Sequence, residues 1–216
     1  MNTTTLDESP AILERGERMF KWFKRTKSIS GAEQYSKLKE IGIMLIKQEY
    51  FDLSKSEYKK NPYMQLLISM GSEVENSNDI IYPSNNVWYL DRECIEDHGD
   101  YVSIVERIAE IIKEEVVISN IQDYVDIENK KARISFLLND LNYEYELNVI
   151  NDWVDLSILE YFSKLLAESG SEYRFFFSDI DQSVLVVFIK KGYYYQLNKL
   201  LNIFIPAYLR EGRPII

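Results

Sequence analysis

Apolar positions in the first half of the chain recur at helical spacing. Tyr101, Ile104, Val105, Ile108, Ile111 and Ile112 form one stripe, and Asp100 stands where an N-cap belongs. Ser30 in the same role, followed by Tyr35, Leu38, Ile41 and Leu45, predicts a helix over 31–48. Lys55 to Lys60 reads as a short helix or turn. Asn61-Pro62 opens a further helix that runs through Leu66 and Leu67 and stops at Gly71, and residues 71–78 read as a polar loop. Further on, Asp155 starts a helix through Leu159, Phe162 and Leu166 that Gly170 closes. Gly192 opens the last one, with Leu197, Leu200, Leu201 and Phe204 inward and Pro206 helping to end it.

Elsewhere the period falls to two. Residues 86–90 (Asn-Val-Trp-Tyr-Leu) have the branched and aromatic content of a strand, as do 121–127 and 132–138. A turn at residues 140–142 leads into Tyr143, Tyr145, Leu147 and Val149, which alternate with Glu144, Glu146 and Asn148 as in a strand wet on one face. Strands over 172–178 and 183–190 follow, joined through residues 179–182. Val184 to Ile189 is apolar at every position, which predicts a central strand covered on both faces. Strands joined by short turns and interleaved with helices predict an α+β fold: a mainly antiparallel sheet of about five to six strands with helices packed on it. No Gly/Pro/Ser-rich linker divides the chain. The expectation is one domain over 19–216, helical over 19–85 and sheet plus helices over 86–216, after a loose extension at 1–18.

Charge changes the picture more than composition does. Of 216 residues, 46% are hydrophobic and 28% charged, as in an ordinary globular chain, and no apolar run nears the ~20 residues of a membrane-spanning helix. One Cys and one His exclude a Cys/His zinc cluster, and no cofactor motif is present. The net charge of −10 argues against nucleic acid as a partner. Its placement is uneven: residues 1–84 hold 12 basic and 12 acidic side chains, so the excess lies in the rest. Residues 91–128 carry 12 acids against three bases, and residues 140–160 carry six acids and no base. Folded side by side, these stretches make a surface that attracts a basic partner.

Residues 1–12 lack the basic and apolar regions of a secretory signal, which sets a cytoplasmic expectation. Phe20, Trp22 and Phe23 alternate with basic residues up to Lys27. The segment reads as a strap whose rings dock on the domain, with contact to an anionic membrane surface as the other reading.

The densest functional-group cluster is Asp91-Arg-Glu-Cys-Ile-Glu-Asp-His-Gly-Asp100, which holds the only Cys and the only His. Asp91, Glu93, Glu96, Asp97 and Asp100 do not follow a calcium-loop spacing. A Cys94–His98 nucleophile needs the imidazole at the thiol, which spacing four supplies on a helix and not in a loop. Tyr143, Tyr145 and Trp153 lie close in sequence to Glu144, Glu146 and Asp152, a mixture that suits a protein interface and equally a half-buried sheet.

In style the chain resembles bacterial immunity proteins, the partners of polymorphic or contact-dependent toxins. It is acidic, Tyr-rich and α+β, with Met19-Phe-Lys-Trp-Phe near its start, Asp152-Trp153 ahead of a helix, and no catalytic motif. The resemblance implies a non-enzymatic protein that covers the active site of a basic toxin domain. The partner-binding candidates are then Asp91, Glu93, Glu96, Asp97, Asp100, Glu144, Glu146, Trp153, Tyr143 and Tyr145. The alternative is a small cysteine-dependent hydrolase or transferase using Cys94 and His98.

Overall fold

A computed structural model describes residues 29–48, 51–76 and 79–208; the extension at 1–18, Met19 and the strap at Phe20–Lys27 lie outside them. The described residues form five α-helices: α1 Gly31–Glu40, α2 Met64–Gly71, α3 Asp100–Ile112, α4 Ser157–Glu168 and α5 Tyr194–Leu200. The strands are β1 Val74–Asn76, β2 Asp79–Ile81, β3 Val87–Asp91, β4 Ile118–Asp126, β5 Lys131–Leu138, β6 Leu141–Leu147, β7 Tyr173–Ile180, β8 Ser183–Lys190 and β9 Ile205–Pro206. All pairings are antiparallel, so the α+β expectation holds.

The strands divide among a four-stranded sheet of order β3-β8-β7-β9, a three-stranded sheet β4-β5-β6 and the hairpin β1-β2. Helices α3 and α4 separate the two larger sheets. Phe162 of α4 stacks on Phe136 of β5 at 5.1 Å, while Ser163 on the same helix accepts the Phe175 N–H of β7. One apolar cluster joins these helices to Ile134 and Phe136 on one side and to Trp88, Val186 and Phe188 on the other. The opposite face of the four-stranded sheet, through Val87, Leu185, Val187 and Ile189, packs on α1, α2 and Leu197 of α5. Each face of β8 thus belongs to a different cluster, as its unbroken apolar run requires.

Local chemistry explains where elements begin and stop. Ser30 and Glu33 close a capping box at the start of α1, so two backbone donors that lack intrahelical partners are satisfied. The helix ends at Glu40, short of the predicted 48, because Gly42 takes φ +86 and the chain leaves extended. Leu45 then donates its N–H to the Tyr35 hydroxyl, which fixes that departure. Helix α2 starts at Met64, two residues beyond Pro62, after Tyr63 at φ 64. Its last residue, Gly71, lies against the backbone of β3.

Two strand pairings lacked a sequence signal. Residues 74–76, within the polar loop expected over 71–78, pair with 79–81 as β1-β2, and Ile205–Pro206 joins β7 as β9 where Pro206 was expected to end the last helix. Helix α5 stops at Leu200 because Leu201 turns to an extended φ of −149. Hairpin β5–β6 turns on Asn139 (φ 49) and Asp140 (φ 66), one residue earlier than expected. Left-handed conformations at both central positions match the twist of the flanking strands.

Candidate functional site

Segment 92–99, between β3 and α3, carries most of the candidate groups, and tertiary bonds give it a fixed course. Arg92 donates its N–H to the Gln182 carbonyl and its carbonyl accepts the Val154 N–H, while Ile95 donates to the Asp152 carbonyl. Glu93 pairs with Trp153 as an isolated bridge and accepts a bond from the Gln182 amide at 3.2 Å. The Arg92 guanidinium lies 4.4 Å over the Trp153 ring and meets the Asp179 carboxylate at 2.6 Å. Ile95, 2% exposed, plugs the segment into the core. The two acidic stretches therefore meet, at 92–95 against 152–154.

The carboxylates have two kinds of work. Asp91 accepts the Glu93 N–H, and Asp100 accepts those of Glu96 and Asp97 at 2.7 and 2.8 Å, closing the turn. Asp100 was expected as the N-cap of α3; it is instead the first helical residue. Gly99 occupies the cap position at φ 99, and Asp123, reaching from β4, accepts the N–H groups of Gly99 and Val102. A carboxylate at a helix N-terminus satisfies orphan donors and the helix dipole together, so a distant residue replaces the local cap. The side chains of Glu93, Glu96 and Asp97 face solvent, Asp97 at 84% exposure.

Cys94 and His98 are not joined. No hydrogen bond links them, and His98 Nδ1 lies 2.8 Å from an oxygen of Asp97, with its ring centroid 5.2 Å from that of Tyr124 in a T-shaped contact. The same bond holds the Asp97 carboxyl below its ordinary value. The thiol lines a groove of about 450 Å³ with Asp91, Asp100, Ile104, Tyr82 and Arg107. Burial there pushes the thiol up to about 11, and the charges of Asp91 and Asp100 add to the effect. Such a thiol is protonated at neutral pH, the reverse of what an activated nucleophile needs. Among the described residues no group of three or more His, Cys, Asp or Glu side chains is arranged to hold a metal ion.

Groups that local spacing did not single out build the groove's far end. Arg107, only 5% exposed, donates to the carbonyls of Ser84 and Val87, pairs with Glu110 at 2.9 Å and stacks on the Tyr82 ring at 3.5 Å. Burial draws its pKa down, and Glu110 opposes that shift. Tyr82 donates to Glu73, and its hydroxyl is raised well above the usual tyrosine range, first by burial and then by that carboxylate. Arg107 falls on the apolar stripe of α3, where its one-turn offset from Ile104 and Ile111 gave a signal that a charge there is buried.

The remaining candidates sit on β6 and are split by the pleat. Tyr145 stacks on Tyr161 at 4.1 Å and Tyr143 on Phe136 at 5.9 Å, both on the inner face, while Glu144 and Glu146 are exposed on the outer one. Arg133 stands between Tyr124 and Glu146 in register, so two strand spacings, roughly 10 Å, separate Glu146 from Tyr124, which His98 touches. The acidic residues thus form two groups, and the two tyrosines are packing residues of the sheet.

No helix among the described residues is long and apolar enough to cross a membrane. No family model, curated protein or solved structure matches the chain.

Proposed function

We propose that this chain is a non-enzymatic binding protein that docks a basic partner, an immunity-protein-like inhibitor of a toxin domain, through Glu93, Glu96, Asp97 and Trp153. The observation that carries this reading is the fixed 92–97 segment. Three exposed carboxylates are held on a tied backbone beside an indole, and the Arg92 guanidinium over that indole is already paired with Asp179. An acidic surface of set shape speeds encounter with a basic protein and selects its orientation. The neutral thiol and the engaged imidazole give the cysteine-dependent alternative no comparable support.

The test compares the wild-type chain with Glu93→Gln/Glu96→Gln/Asp97→Asn, each immobilised and exposed to an extract of the cell that makes the protein. A basic protein retained by the wild type, released as salt is raised to ~0.5 M and not retained by the variant, is the expected result. Equal retention by both chains, or retention indifferent to salt, overturns the reading.

A further inference from the structure

The outer side of β6 is the open edge of the three-stranded sheet. In a two-residue hairpin the closing pair, here Leu138 and Leu141, exchanges hydrogen bonds, and every second pair does so thereafter. Leu141, Tyr143, Tyr145 and Leu147 therefore bond to β5. The N–H and C=O groups of Asn142, Glu144 and Glu146 point away from it, and no described residue bonds them. The other edges differ. β4 is bulged between Ser119 and Gln122 and tied to Gly99 through Asp123, β3 gives its Val87 carbonyl to Arg107, and β9 has only two residues.

We propose that β6 is a pairing edge for an extended segment of the basic partner, one that carries Lys or Arg at alternate positions. This rests on the reading above that the partner is a basic protein, and it adds how that protein is engaged. The outward amides belong to the residues whose carboxylates face solvent, so one added strand satisfies both. Added antiparallel, its residues opposite Glu144 and Glu146 exchange backbone bonds with them and place side chains on the same outer face. Charge selects the occupant. A second copy of β6 paired antiparallel about Glu144, or with Glu144 opposite Glu146, sets glutamates against glutamates, which repel when directly opposite, whereas cations at the same positions attract.

The probe is a synthetic peptide of alternating lysine and valine, compared with the same peptide methylated at its lysine backbone nitrogens. The methylated form keeps the charge and loses the donors. Amide hydrogen exchange of the full chain is followed by NMR. The first peptide should slow exchange at Asn142, Glu144 and Glu146 tenfold or more, leave Tyr143 and Tyr145 unchanged, and bind better than the methylated one. Glu144→Gln/Glu146→Gln should weaken it by about fivefold at low salt. Equal binding of both peptides, protection without alternation, or protection of those three amides before any peptide is added overturns the edge. Protection confined to Glu93–Asp97 also overturns it while leaving the proposed function standing. Binding to neither site counts against both.

Discussion

The Cys94 thiol shows how far a side chain's surroundings decide its chemistry. Its carboxylate neighbours and its burial favour the neutral form, moving it from an ordinary 9.0 to about 11. Two units leave about a hundredfold less thiolate at neutral pH, so iodoacetamide should label Cys94 roughly that much more slowly than an exposed thiol. The rate, followed by mass spectrometry, should climb tenfold per pH unit and level off only near 11; a plateau near pH 7 would contradict the geometry. Because the folded value is the higher one, the corresponding stability is complete below pH 9 and is lost between pH 9 and 11. Sequence located this cysteine in the right cluster. It could not show that Asp91 and Asp100 turn toward the thiol while His98 turns away to Asp97, since those directions follow from backbone bonds to Glu93, Glu96 and Asp97.

Elements carry their own constraints, and Gly71 illustrates the strongest. A Cβ at this position would sit 2.7 Å from the Tyr89 backbone nitrogen and 2.9 Å from the Trp88 carbonyl carbon. At the last residue of the helix alanine gains well under the ~1 kcal/mol of propensity it has in a helix interior, and the overlap is with backbone that cannot step aside, a cost of about 1–3 kcal/mol. Gly71→Ala should therefore destabilise the protein by about 1 kcal/mol or more, read from the urea midpoint; unchanged or greater stability would refute the close approach. What was legible at this scale follows from period. Helix α3 and strands β5, β6 and β8 were visible because their apolar patterns last six residues or more. The pairs β1-β2 and β7-β9 were not, because two or three residues set no period and the partner alone makes them strands. Asp123 is invisible in the same way: its capping partner lies 24 residues off, and position along β4 gives no hint of it.

The whole molecule turns on β8, which contributes alternate residues to both apolar clusters. Chains longer than ~150 residues often unfold through intermediates, but neither cluster here can lose its sheet without exposing the other. Thermal unfolding should be a single transition in which tryptophan fluorescence, to which the buried Trp88 contributes along with Trp22 and Trp153, coincides with the far-ultraviolet circular dichroism. Val187→Ala, which opens a void against α1 and α2, should cost ~2 kcal/mol and shift both signals together. Separated midpoints would mean that the clusters are independent. Net charge was readable from composition, whereas its division into a loop group and a β6 group was not. Strand register sets that division, along with the intervening Arg133.

Arg92, held between Trp153 and Asp179, and the backbone bonds to Gln182, Asp152 and Val154 leave the acidic segment little freedom to reshape. For the proposed partner, recognition then resembles a key meeting a lock already cut. Ionic strength would act mainly on how often productive collisions occur, and the lifetime of the complex would depend on how well the two rigid contours mate.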